Sequence, residues 1–285
     1  VAGGAAYVVY GVDGGIGSVD ITDIAAGVGG FRLTGTEEFG LAGHFIAGLG
    51  DINNDGIDDL GIGSNETTYV VYGKDGGHNS FDLDDLDSGI SGDGFAIIAE
   101  GVYDFPIIVS PAGDLNDDGI DDVLVGAPDE GAAYVVYGQN GNSTGVDLSD
   151  VAAGVGGFKI TGEDPGDFAG FEVSSIGDFN GDGLDDVLIA AELHDGSSSN
   201  VGAVYVVFGK SGGYASVDLA DIALGIGGLK FDGEDFGGSR FGINTGSIGD
   251  INADGFDDIA VAQTRGGESA FVFYGFADGG DIPDL

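Results

Sequence analysis

An all-β fold of repeated four-stranded units follows from three features of the sequence. One acidic segment recurs four times, β-rich runs flank every copy, and glycine punctuates the chain between them. The recurring segment starts at Asp51, Asp114, Asp178 and Asp250, so the periods are 63, 64 and 72 residues. A self-similar period of that size marks a repeat architecture.

Each period carries four candidate strands. A short apolar stretch ending in Gly-Asp precedes the acidic segment, as at Val173 to Asp178. A run such as Val123 to Pro128 follows it. The third run is aromatic and β-branched: Tyr69–Tyr72, Tyr134–Tyr137, Tyr205–Phe208 and Phe271–Tyr274. The fourth is Phe31–Thr34, Phe95–Ile98, Phe158–Thr161 and Leu229–Asp232. Short β-branched runs closed by glycine read as strands. Four strands per period are the content of a β-propeller blade. The spacing predicts one propeller region over 1–285, with blades near 40–100, 105–162, 168–233 and 240–275. Strands over 5–11 and 31–35 complete or extend the ring. The link Asp147 to Gly154, between third and fourth strands, predicts one helical turn capped by aspartate.

The two ends duplicate one part of the repeat, since Tyr7–Tyr10 and Phe271–Tyr274 are both third-strand runs. Three arrangements fit. The ring closes on four blades with Phe31–Thr34 as the last outer strand; the chain is a segment of a longer array; or a surplus strand pairs with a neighbouring copy. The chain opens at Val1 without methionine, as a processed or excised product would.

The shared segment reads D-x-N-x-D-G-x-x-D, which is a pattern for a hard cation. Side chains at positions 1, 3 and 5 converge as the backbone winds: Asp51, Asn53 and Asp55; Asp114, Asn116 and Asp118; Asp178, Asn180 and Asp182; Asp250, Asn252 and Asp254. Glycine at position 6 allows the sharp turn. Position 7 is apolar (Ile57, Ile120, Leu184, Phe256), so it offers a cation only its carbonyl. Position 9 is Asp59, Asp122, Asp186 and Asp258 and can close the coordination sphere. Such oxygen sets suit Ca2+, about four ions in all, better than the compact octahedron of Mg2+. A helix-loop-helix calcium site needs Glu at position 12, where this chain has Ile62, Val125, Ile189 and Val261.

Composition limits the partners. Fifty acidic residues face seven Lys plus Arg, for a formal charge of −43. That charge repels nucleic acid and anionic lipid. No apolar run approaches the ~18 residues that span a bilayer, so no membrane insertion is expected. Four Ca2+ would cancel only 8 of the 43 charges, and the remainder suits a solvated surface in salty or calcium-rich surroundings. Cysteine is absent, which excludes disulfides and thiolate metal sites.

Catalytic signals are sparse. His44 precedes Phe45 in a predicted inner strand and is expected to be a packing or channel residue, and His78 and His194 to lie solvated in loops. No nucleophile-elbow pattern occurs. Asp195-Gly-Ser197-Ser-Ser199 reads as a flexible loop in the longest period, and Asn65 and Asn142 head glycosylation sequons. Carboxylate pairs of the kind that cleave sugars fall almost entirely in the cation loops.

These residues resemble the FG-GAP repeats of the integrin alpha-subunit β-propeller and its bacterial relatives. Phe39-Gly40 and Phe241-Gly242 match the first element of the motif, and Gly126-Ala127-Pro128 the second. Other copies depart, with Phe105-Pro106 and Phe168-Ala169 in the first element and Gly63-Ser-Asn65 in the second. The resemblance implies Ca2+ in the hairpin between a blade's first and second strands. It implies an extracellular or cell-surface place and a non-catalytic role in adhesion, surface or matrix assembly, or recognition of a protein or glycan. Family rings usually have seven blades, whereas this chain holds four loops. Two other functions stay open: a self-assembling structural subunit that binds copies of itself through its end strands, and a polysaccharide-active propeller such as a lyase.

Overall fold

The computed structural model describes residues 3–14, 17–35, 41–65, 67–87, 92–99, 101, 105, 107–196, 199–233, 238–264 and 269–277. An N-terminal sheet contains β1 (Ala5–Val9) and β2 (Gly30–Thr34). The next blade has β3 (Phe45–Gly50), β4 (Asp59–Gly63), β5 (Thr67–Val71), the dipeptide β6 (Phe81–Asp82) and β7 (Gly94–Ile98). The central blade follows with β8 (Ile108–Gly113), β9 (Asp122–Ala127), β10 (Ala132–Val136), β11 (Val146–Asp147) and β12 (Gly157–Thr161). Then come β13 (Ala169–Gly177), β14 (Asp186–Ala191), β15 (Ala203–Val207), β16 (Val217–Asp218) and β17 (Gly228–Asp232). The last sheet is β18 (Phe241–Gly249), β19 (Asp258–Gln263) and β20 (Ser269–Phe273).

The long strands of each complete blade form an antiparallel meander, in the order β8-β9-β10-β12 for the central one. The dipeptides do something else. β6 pairs parallel with β2, β11 with β7 and β16 with β12. Each blade thus lends two residues to the outer edge of the blade before it. A capped turn follows: Asp20, Asp147 and Asp218 accept hydrogen bonds from Thr22, Ser149 and Ala220 at the starts of α1 (Ile21–Ala25), α2 (Leu148–Ala152) and α3 (Leu219–Ile222). An aspartate N-cap satisfies an amide that the first turn leaves unpaired.

The core lies between blades, not within one. On β10, Ala133 and Val135 pack toward Val187, Ile189 and Tyr205 of the following blade. Ala132, Tyr134 and Val136 pack toward Val70, Phe95 and Ile97 of the preceding one. Alternate side chains of a strand point to opposite faces, so a strand between two blades is apolar throughout.

At the ends, β2 pairs with β1 and β6. Among the described residues no pairing joins β2 to β20. Two histidines differ from expectation. His194 is buried beside Asp167 and Lys230 of its own blade, and His78 is nearly buried against Tyr10 and Phe31 of the N-terminal sheet.

Candidate metal centre

The four acidic segments are the hairpin loops between β3 and β4, β8 and β9, β13 and β14, and β18 and β19. Their internal bonding repeats closely. In the first loop, Asp51 accepts from the Asp55 amide through one oxygen (3.0 Å) and from the Gly56 amide through the other (2.7 Å). Asp55 accepts from the Ile57 amide at 3.0 Å. Asp114, Asp178 and Asp250 accept from the matching pairs of amides. Asn53, Asn180 and Asn252 accept from the position-5 amide and donate to the position-5 carboxylate. Asn116 differs, donating instead to Asp122 at 3.3 Å.

The position-9 carboxylates sit deepest. Asp59 accepts from the Ile52 and Gly73 amides, and Asp186 from those of Phe179 and Gly209. Asp258 accepts from Ile251 and Gly275. Burial pushes the carboxyl of Asp59 up to about 6, that of Asp122 to about 8 and that of Asp186 to about 7. The backbone amides oppose that rise, and the position-1 and position-5 carboxylates add to it at Asp59 and Asp122. Each loop therefore gathers negative charge around a buried acid.

Among the described residues, no three acidic or histidine side chains converge as a ready-made metal cage. The carboxylates turn onto the loop's own amides. Each carboxylate oxygen has a second lone pair, and the asparagine and the position-7 carbonyl add further oxygen donors. This all-oxygen set, with uncompensated charge beside a buried acid, fits a hard divalent cation and gives a soft metal no ligand.

Lys74 and Lys210 adjoin the first and second loops, whereas two other lysines lie away from them. Lys159 and Lys230 stand on outer strands beside Tyr134 and Tyr205, with their nitrogens 4.9 and 5.5 Å from the ring centres. Lys159 pairs with Glu130 at 3.0 Å and Lys230 with Glu163 at 2.8 Å. His194 has Asp167 at 2.7 Å from Nδ1 and the Lys230 ammonium at 2.9 Å from Nε2. His78 lies 2.7 Å from the Tyr72 carbonyl, and His44 is exposed, edge-on to Phe45. Sequence reading missed these networks, because their members stand up to 67 residues apart, as Glu163 and Lys230 do. Of the Asp195 loop, residues 197 and 198 lie outside the described residues; Asp195 accepts from the Asn200 amide. Phe39-Gly40 also lies outside them.

Four sheets that each open on a D-x-N-x-D-G-x-x-D hairpin, stacked through apolar faces, define a repeat β-propeller architecture. The FG-GAP repeat description matches residues 105–145 and 169–207. The chain thus carries FG-GAP repeats and is similar to integrin alpha subunits. It is 34% identical over 178 residues to integrin alpha-5 of Xenopus laevis, covering 59% of this chain and 15% of that protein. It is 38% identical over 120 residues to integrin alpha-PS5 of Drosophila melanogaster, covering 41% and 11%. With integrin alpha-V of Gallus gallus the identity is 30% over 177 residues, covering 59% and 15%. The matched part is thus a small share of each relative's length.

Proposed function

We propose that this chain is a non-catalytic, calcium-stabilised β-propeller of the extracellular space or cell surface, used for adhesion, surface or matrix assembly, or recognition of a protein or glycan. The fourfold loop carries the reading. Positions 1, 3, 5 and 9, with the position-7 carbonyl, would hold each ion. Bound Ca2+ would supply positive charge that links carboxylates otherwise in repulsion. The amides of each loop hold the carboxylates in place, and the buried position-9 acid ties the loop to its own blade. A glycine-rich chain loses much backbone freedom on folding, so ion binding adds stability where it is scarce.

The integrin alpha relatives support the adhesive, non-catalytic role. A second reading, self-assembly through end strands, is favoured by one observation. Among the described residues β1 is paired only with β2 and β20 only with β19, so both present open edges.

Calorimetric titration with Ca2+, and thermal unfolding in millimolar Ca2+, Mg2+ and EDTA, test the main reading. Uptake of about four Ca2+ with a rise in midpoint that Mg2+ does not match is expected. No uptake and an unmoved midpoint would sink it. Light scattering in Ca2+ tests the second reading, which a strict monomer at high concentration refutes.

A further inference from the structure

The loop repeat contains a ninefold pattern with one acidic position that the cation reading leaves unused, the aspartate at position 8. In three blades it does not serve its own loop. Asp121 reaches back to the preceding blade and accepts from the Asp51 amide at 2.9 Å. Asp185 accepts from Asp114 at 2.9 Å and Asp257 from Asp178 at 3.2 Å. Each thus holds the first residue of the neighbouring loop, 70, 71 or 79 residues away.

Two further contacts reach the same loops from the same side. The segment after the third strand of the following blade donates to the carbonyls of loop positions 2 and 3. Gln139 and Gly141 bond to Ile52 and Asn53, and Lys210 and Gly212 to Leu115 and Asn116. Phe276 bonds to Phe179. The residue before each loop is a glycine with positive φ: Gly50 (+78°), Gly113 (+68°), Gly177 (+69°) and Gly249 (+66°). A Cβ at the first three would strike the carboxylates of Asp121, Asp185 and Asp257. The reaching aspartate fills the space that the glycine leaves open.

The first and last loops supply internal controls. At Gly249 a Cβ would meet nothing, and among the described residues no aspartate accepts from the Asp250 amide. The position-2 side chain records the difference: Ile52, Leu115 and Phe179 are at most 4% exposed, whereas Ile251 is 56% exposed. At the other end, Asp58 at position 8 of the first loop is exposed and accepts no loop amide among the described residues.

We propose that Asp121, Asp185 and Asp257 are positioning residues for the cation loop of the blade before their own, so that the braced loops at 51–59, 114–122 and 178–186 bind Ca2+ more tightly than the unbraced loop at 250–258. The affinity order rests on the calcium reading above; the bracing itself does not. A loop whose first residue is already held loses less freedom when an ion binds. Ion binding in one blade and docking of the next then reinforce each other.

The test uses the whole chain with Asp185→Ala, Asp58→Ala and Asp185→Asn. In EDTA, Asp185→Ala is expected to lower the thermal midpoint by about 3–8 °C, and Asp58→Ala by less than about 1 °C. Asp185→Asn should recover most of the loss, since its amide oxygen still accepts from Asp114. Calorimetry on the unaltered chain should resolve three tighter Ca2+ sites and one weaker. Asp185→Ala should weaken one of the tighter three about tenfold. Equal midpoint losses in Asp58→Ala and Asp185→Ala, or no loss in either, would overturn the proposal. Four equivalent sites would overturn the affinity order. Absence of any Ca2+ uptake by the unaltered chain overturns the calcium reading instead, and the EDTA comparison still decides whether the aspartate braces its neighbour.

Discussion

The octapeptide Gly-Ala-Ala-Tyr-Val-Val-Tyr-Gly occurs twice, at Gly4–Gly11 and Gly131–Gly138, and meets two different fates. Both copies form the third strand of a blade, β1 and β10. Both pair with an outer strand in the same register, Ala5 with Thr34 and Ala132 with Thr161. Yet all five residues of β10 are buried, whereas β1 buries only Ala6. Tyr134 is fully buried and Tyr7 is 39% exposed. In β1, Ala6 and Val8 face the next blade, and among the described residues no blade packs on the opposite face. Strand formation is therefore local, and burial is conferred by neighbours. The same lesson applies to the loops, where Ile52 and Ile251 hold one repeat position in two environments.

The largest expected difference is at the tyrosines. Tyr134→Ala removes an aromatic ring packed against the preceding blade and should cost about 3–5 kcal/mol in urea unfolding. Tyr7→Ala should cost less than about 1 kcal/mol. Equal losses would break the comparison and show that β1 is covered in solution.

A smaller effect sharpens it. On the following side the two copies are alike, for Tyr10 accepts from the His78 amide at 2.9 Å and Tyr137 from Tyr214 at 3.1 Å. Tyr10→Phe and Tyr137→Phe should therefore cost similar amounts, about 0.5–1.5 kcal/mol each. A large loss for Tyr137→Phe alone would mean that the edge blade is weakly docked on both faces.

The smallest effect concerns pH. Burial acts to raise the Glu163 carboxyl, but bonds from Lys230 and Tyr205 outweigh it and hold it below the usual range. A depressed carboxyl stabilises the fold above its unfolded value, and that stability is lost as pH falls through the folded value. Between about pH 5 and pH 3 the loss should be at most about 1 kcal/mol. Lys230→Met should remove this component of the pH dependence, read as thermal midpoint against pH.

Much of the site was legible from residue order. The loop positions, their place between first and second strands, and the Asp147 cap all follow from local chemistry, because a turn or cap is decided within a few residues. The parallel dipeptides β6, β11 and β16 were not legible, since Phe81-Asp82 and Val146-Asp147 are too short to show a period. The reach of Asp121 to Asp51 was also hidden, although position 8 is aspartate in every loop. The buried setting of His194 depends on Asp167 and Lys230, which lie 27 and 36 residues away.

By itself, the order of residues determined the repeat, the strand content and the oxygen-rich loops, since alternation, glycine turns and acidic spacing act over a few bonds. Only the tertiary structure decided which copy of a strand is core and which is edge. It also decided which aspartate serves its own loop and which serves the loop of its neighbour. Those outcomes depend on surfaces some 70 residues apart coming into contact, and identical octapeptides carry no record of what will stand beside them.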